Sequence, residues 1–167
     1  EQQRTHILIE MKSLKKKSAR TFIESVEAVN ALSTRELKKH GELQNKALIW
    51  LHDNGYVASS EVILPNNKRA DVIGFNEEGH IIIIEVKVSV SDFRRDDKWK
   101  DYINYCDEFY FLASNEARMV YFEKSEYVDV GLLMEKKRYL EVIEDFKLKN
   151  TQVLNRQKLQ FIISQTL

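Results

Sequence analysis

Arg69-Ala70-Asp71-Val72-Ile73-Gly74 and, beyond a short gap, Ile81-Ile82-Ile83-Ile84-Glu85-Val86-Lys87-Val88-Ser89 decide how this chain folds. A run of isoleucines followed by valines reads as a strand covered on both faces, because β-branched side chains suit a pleated, buried surface. Side chains two apart on a strand share a face, so Ile81, Ile83, Glu85, Lys87 and Ser89 point one way while Val86 and Val88 point the other. The two charges therefore converge on one side of an oily strand. A carboxylate or an ammonium in such surroundings is costly unless it is paired or bound to a metal, so this strand carries its charges for a reason.

Working outward, residues 56–64 read as a strand, Pro65-Asn66-Asn67 as a turn and residues 68–75 as the returning arm of a hairpin. On that arm Asp71, Ile73 and Phe75 share a face. The turn Asn76-Glu77-Glu78-Gly79 leads into the third strand, residues 81–90, and antiparallel pairing across it makes Asp71 and Glu85 near neighbours. Upstream, Ser33-Thr34-Arg35-Glu36 fits a capping box that opens a helix. Leu43, Ala47, Trp50 and Leu51 form its apolar stripe, and Asn54-Gly55 supplies its stop. Glu42, at the edge of that stripe, faces either solvent or a cleft.

Downstream, Ser91-Asp92 is a good helix cap, and Trp99, Tyr102, Ile103 and Cys106 follow with helical spacing. Trp99 and Tyr105 belong either to the core or to a stacking surface for bases, and Cys106 reads as filler. Residues 109–113, 131–135 and 139–143 are further strands, and residues 154–163 form an amphipathic closing helix. Lys plus Arg equals Asp plus Glu at 26 each, so net charge favours no class of partner and any basic surface must be local. The lone cysteine, without zinc-type spacing elsewhere, points to a reducing cytoplasm. No run approaches the length of a membrane span, and the amino end shows no signal-peptide layout. Residues 1–33 read as a separate basic arm with a short helix begun at Thr21, and residues 34–167 as one domain. The five basic residues between Lys12 and Arg20 are either a solvated face or phosphate contacts.

The order helix, three strands, helix, strand, with Asp71 on the second strand and Glu85-Val86-Lys87 on the third, resembles the PD-(D/E)XK nuclease superfamily. A closer resemblance, over about residues 42–133, is to the MmcB-like DNA repair proteins. It is carried by Leu64-Pro65-Asn66, Arg69-Ala70-Asp71-Val72, Ile84-Glu85-Val86-Lys87, Asp92-Phe93-Arg94, Lys98-Trp99, Tyr102, Tyr105-Cys106-Asp107 and Gly131-Leu132. Ala70 replaces the proline that names the superfamily. The resemblance implies an α/β, restriction-endonuclease-like three-layer α-β-α fold with a mixed central sheet, extra strands and a C-terminal helix. It also implies metal-dependent hydrolysis of DNA in repair or processing, the alternative being a non-catalytic DNA-binding protein that keeps the fold.

Carried onto this chain, Asp71, Glu85 and the Val86 carbonyl would hold magnesium, with manganese as a substitute, since magnesium takes oxygen ligands and keeps several waters. Lys87 would orient or deprotonate the attacking water and offset phosphate charge, and Glu42 corresponds to an outer helix glutamate. Ser89 would stand one step along the cleft. Arg69, Arg94, Arg95 and Lys98 are candidate contacts to the DNA backbone. In Arg94-Arg95-Asp96-Asp97 the acids either neutralise the arginines or hold them in orientation. RNA as substrate and assembly into a homo-oligomer stay open, while a membrane partner is not expected.

Overall fold

The computed structural model describes residues 34–148 and 152–166, so the expectations for residues 1–33 lie outside the described residues. The chain divides into two units at Lys38 and Lys39, and the sheet belongs to the second, Lys39–Leu167. Residues 34–53 are helical and form α1. Its end is closed as the sequence suggests: Asn54 N–H donates to the carbonyls of Trp50 and Leu51, and Gly55 adopts φ +84°, a conformation glycine takes without steric cost.

Six strands form one sheet in sequential order: β1 Val57–Ile63, β2 Arg69–Phe75, β3 Ile81–Lys87, β4 Glu108–Ala113, β5 Gly131–Lys136 and β6 Tyr139–Glu144. The first three make an antiparallel meander, β3, β4 and β5 run parallel, and β6 returns antiparallel to β5. This is a mixed sheet of the α/β class. The alternation of β3 sorts its isoleucines between two cores. Ile82 and Ile84 join Leu43, Ala47 and Leu51 of α1, while Ile81 and Ile83 join Phe93, Trp99, Phe109, Phe111, Leu159 and Ile163. Gly74 lets α1 come close to β2, since a Cβ there would lie 3.3 Å from Leu51 Cδ1 and 3.1 Å from the Val57 carbonyl oxygen.

Three short helices, α2 Val90–Arg95, α3 Lys100–Ile103 and α4 Met119–Glu123, follow β3 and β4, and α5 Arg156–Gln165 closes the chain. Here the sequence reading needs correction. Strand β3 stops at Lys87 rather than at residue 90, and Ser89, not Ser91, caps α2 by accepting the Asp92 N–H at 3.2 Å. The helix expected to run from that cap to Cys106 is instead broken at Asp96, whose backbone is extended (φ −72°, ψ 118°), and resumes as α3. At this break the Asp96 carboxylate accepts the Lys98 N–H two residues on, a local turn contact that competes with helix, and also meets Lys87. No helix among the described residues is long and apolar enough to cross a membrane.

Candidate active site

The paired register of β2 and β3 runs from Phe75–Ile81 up to Val72–Ile84, which sets Asp71 opposite Glu85 one step further on. There side chains continue the pairing. The Asp71 N–H donates to Glu85 Oε1 at 2.9 Å, and the Val86 N–H donates to Asp71 Oδ2 at 2.8 Å. Glu85 is buried, and its pKa is pushed well above the ordinary 4.5, first by burial and then by the charge of Asp71. Asp71 Oδ1 and Glu85 Oε2 accept no hydrogen bond among the described residues.

Lys87 is buried on the same strand, and its ammonium reaches Asp96 Oδ2 at 2.7 Å, with the exposed Asp92 at 3.8 Å. Burial works against its charge, but the hydrogen bond and charge of Asp96 outweigh that and leave its pKa raised. The strand charges are thus divided between two partners. Glu85 stands with Asp71, and Lys87 stands with an acid that the sequence reading had assigned only to the neighbouring arginines.

Helix α1 adds two residues that sequence reasoning missed. His40 Nε2 lies 3.3 Å from Asp71 Oδ2, an interaction that raises the imidazole pKa against the opposing effect of burial. Gln44 Nε2 donates to the Asp71 carbonyl and to Glu61 Oε1, both at 2.9 Å. Glu61 sits inside β1 with φ +56°, a left-handed conformation that costs a non-glycine residue about 1 kcal/mol or more, and its other oxygen takes Arg69 Nε at 2.7 Å. Glu42, the expected helix acid, is exposed and pairs with Lys39 at 3.9 Å. His40 and Gln44 are one turn apart, and Glu42, midway between them, falls on another side of the helix. That i, i+4 spacing was the signal available.

The candidate DNA contacts divide similarly. Arg94 forms a two-bond fork with Glu123, at 2.8 and 3.0 Å, so it is neutralised by α4 rather than by its adjacent acids. Arg95 Nε donates to the Ser91 carbonyl at 3.2 Å, and Ser89 is spent largely on its cap. Arg69 and Lys98 are exposed, the latter with its backbone N–H bonded to Asp96 Oδ1 at 2.7 Å. Trp99 is core, packed on Phe109 and Tyr127.

Among the described residues no three His, Cys, Asp or Glu side chains form a group that could hold a metal ion. The donor set at Asp71 and Glu85 nevertheless fits a hard divalent cation. It offers two carboxylates, each with one oxygen that accepts no hydrogen bond among the described residues, on neighbouring strands. An ion such as magnesium, which keeps several of its waters, needs no more than one or two carboxylates.

A family model described as DNA repair protein MmcB-like matches residues 28–166 of this chain. Among solved structures, a protein of unknown function from Silicibacter pomeroyi superposes with a TM-score of 0.57 at 24% sequence identity, over 74% of this chain and 80% of that one. At that identity the likeness concerns the fold. No curated protein matches the chain.

Proposed function

Because the chain belongs to the MmcB-like family of DNA repair proteins, we propose that it is a restriction-endonuclease-like member of the PD-(D/E)XK superfamily that hydrolyses phosphodiester bonds in DNA with a divalent metal. The observation that carries this reading is the Asp71–Glu85 pair, joined through each other's strand backbone with a buried lysine two residues on. Magnesium or manganese, held by Asp71, Glu85 and the Val86 carbonyl, would lower the pKa of a bound water and neutralise charge on the phosphate.

The remaining work falls to the chain's own groups. His40 and Gln44 hold Asp71 from the helix side, one at its carboxylate and one at its carbonyl, so that the carboxylate keeps its aim. Lys87 supplies a fixed positive charge where a scissile phosphate gathers negative charge, and it orients the water that attacks. Arg95 and Lys98, exposed and meeting no carboxylate among the described residues, would hold the phosphate backbone and carry no sequence information, with Arg69 joining them only on leaving Glu61.

The test is to incubate the protein with single-stranded, duplex and flapped DNA, and with RNA, in magnesium, manganese or chelator. Metal-dependent cleavage that is lost in Asp71→Asn supports the reading. DNA binding without cleavage under every condition would instead identify a non-catalytic member that keeps the fold.

A further inference from the structure

Asp96 stands in the break between α2 and α3 with its side chain 5% exposed, outside the acid pair. All of its polar atoms are engaged. Oδ2 accepts from Lys87 Nζ and Oδ1 from the Lys98 N–H, both at 2.7 Å, and its own N–H donates to the Phe93 carbonyl at 3.3 Å. Its carbonyl accepts from Lys124 Nζ and from the Tyr127 hydroxyl, both at 3.4 Å. Tyr127 is itself fixed, since it is fully buried and rests on Phe93 and Phe111. Both carboxylate oxygens and the backbone that carries them are therefore held, in the break between two helices.

Lysine is the opposite case, a point charge on a flexible four-carbon stem. On β3 nothing in its own strand fixes where the Lys87 ammonium goes. Its only other carboxylate partner among the described residues, Asp92, is exposed and 3.8 Å away. We infer that Asp96 is the positioning residue that fixes the Lys87 ammonium two residues along β3 from the Asp71–Glu85 pair. This rests on the hydrolytic reading of that pair. A buried acid held at both oxygens and through its own backbone is what positioning a flexible lysine requires, whereas a pair kept for stability alone is often replaceable by apolar side chains at no loss.

Asp96→Asn keeps the shape and removes the charge. Turnover should fall by up to about a hundredfold, the penalty for misplacing a reacting group by an ångström, while KM and DNA affinity stay unchanged. Asp96→Glu should recover part of the rate. In a Lys87→Met background Asp96→Asn should cost nothing further, because two residues acting as one unit are not additive. Full additivity, or a gain in rate on releasing the lysine, would overturn the assignment.

A measurement independent of turnover accompanies these. The ammonium 1H–15N resonance of Lys87, assigned by its absence in Lys87→Arg, should resist exchange with water in the wild type and broaden away in Asp96→Asn. A resonance unchanged by that substitution refutes the positioning role. If the wild type cuts no nucleic acid, the hydrolytic reading falls, while the resonance still decides whether Asp96 holds the ammonium. Should Asp96→Asn fail to fold, Asp96→Glu carries the test, and an unaltered resonance and rate there count against the proposal.

Discussion

Burial and the neighbouring Asp71 make charge costly at Glu85. A carboxyl whose folded pKa is raised contributes stability that is fully present below its unfolded value and lost as pH rises through the folded one. Metal-free protein should therefore lose stability through this group as pH climbs from about 4.5 toward neutrality. Glu85→Gln, which keeps the acceptor for the Asp71 amide, should flatten that part of the pH profile and raise the neutral-pH Tm in chelator; each kcal/mol is worth roughly 2–4 °C in a chain of this size. A lower Tm for the variant would mean that Glu85 is a structural anion. Lys87→Ala moves the other way. It strands the buried Asp96 and should cost about 3–5 kcal/mol in denaturant titrations, besides slowing cleavage by about 10²–10⁴-fold, and Lys87→Met with Asp96→Asn should recover much of that loss in stability. That Asp71 and Glu85 become neighbours, and that Lys87 shares the strand face of Glu85, was legible from antiparallel pairing across a short turn and from strand alternation. His40, Gln44 and Asp96 were not, since a polar residue beside an apolar stripe looks the same whether it faces water or an acid on a distant strand.

Elements show the same divide. The hairpins and the α1 stop follow from turn residues and periodicity, which are local, and they formed as read. Local spacing did not show that the segment after β3 splits into α2 and α3, because Trp99 and Tyr102 keep their helical interval wholly on the α3 side and say nothing of the break before them at Asp96. That break decides which cations stay available. Arg94 is spent on Glu123 of α4, whereas Arg95 and Lys98 meet no carboxylate among the described residues. In DNA-binding titrations, replacing Arg95 and Lys98 by alanine should lower the slope of log affinity against log salt by about 0.9 for each duplex phosphate that is no longer neutralised. Arg94→Ala should change it less. Equal slopes for all three single variants and the wild type would show that α2 does not face the DNA.

At the scale of the molecule, a cation that binds only the folded chain must stabilise it, by about 2.7 kcal/mol at a hundred times its Kd. Thermal melts across a magnesium or manganese titration should show that rise in the wild type and none in Asp71→Asn. Asp71→Asn should melt no lower than the wild type in chelator, because it relieves the repulsion with Glu85. A strongly destabilised, metal-indifferent variant beside a metal-indifferent wild type would instead make the pair structural. The site also lies where β2 and β3 exchange side-chain for main-chain bonding, the Asp71 and Val86 amides being held by carboxylates rather than by carbonyls. These two amides are consequently built-in reporters. Their hydrogen-exchange rates should depend on the ionisation and occupancy of the acids while amides deeper in the meander stay slow, so local fraying at this end of the sheet reads the state of the site without any substrate at all.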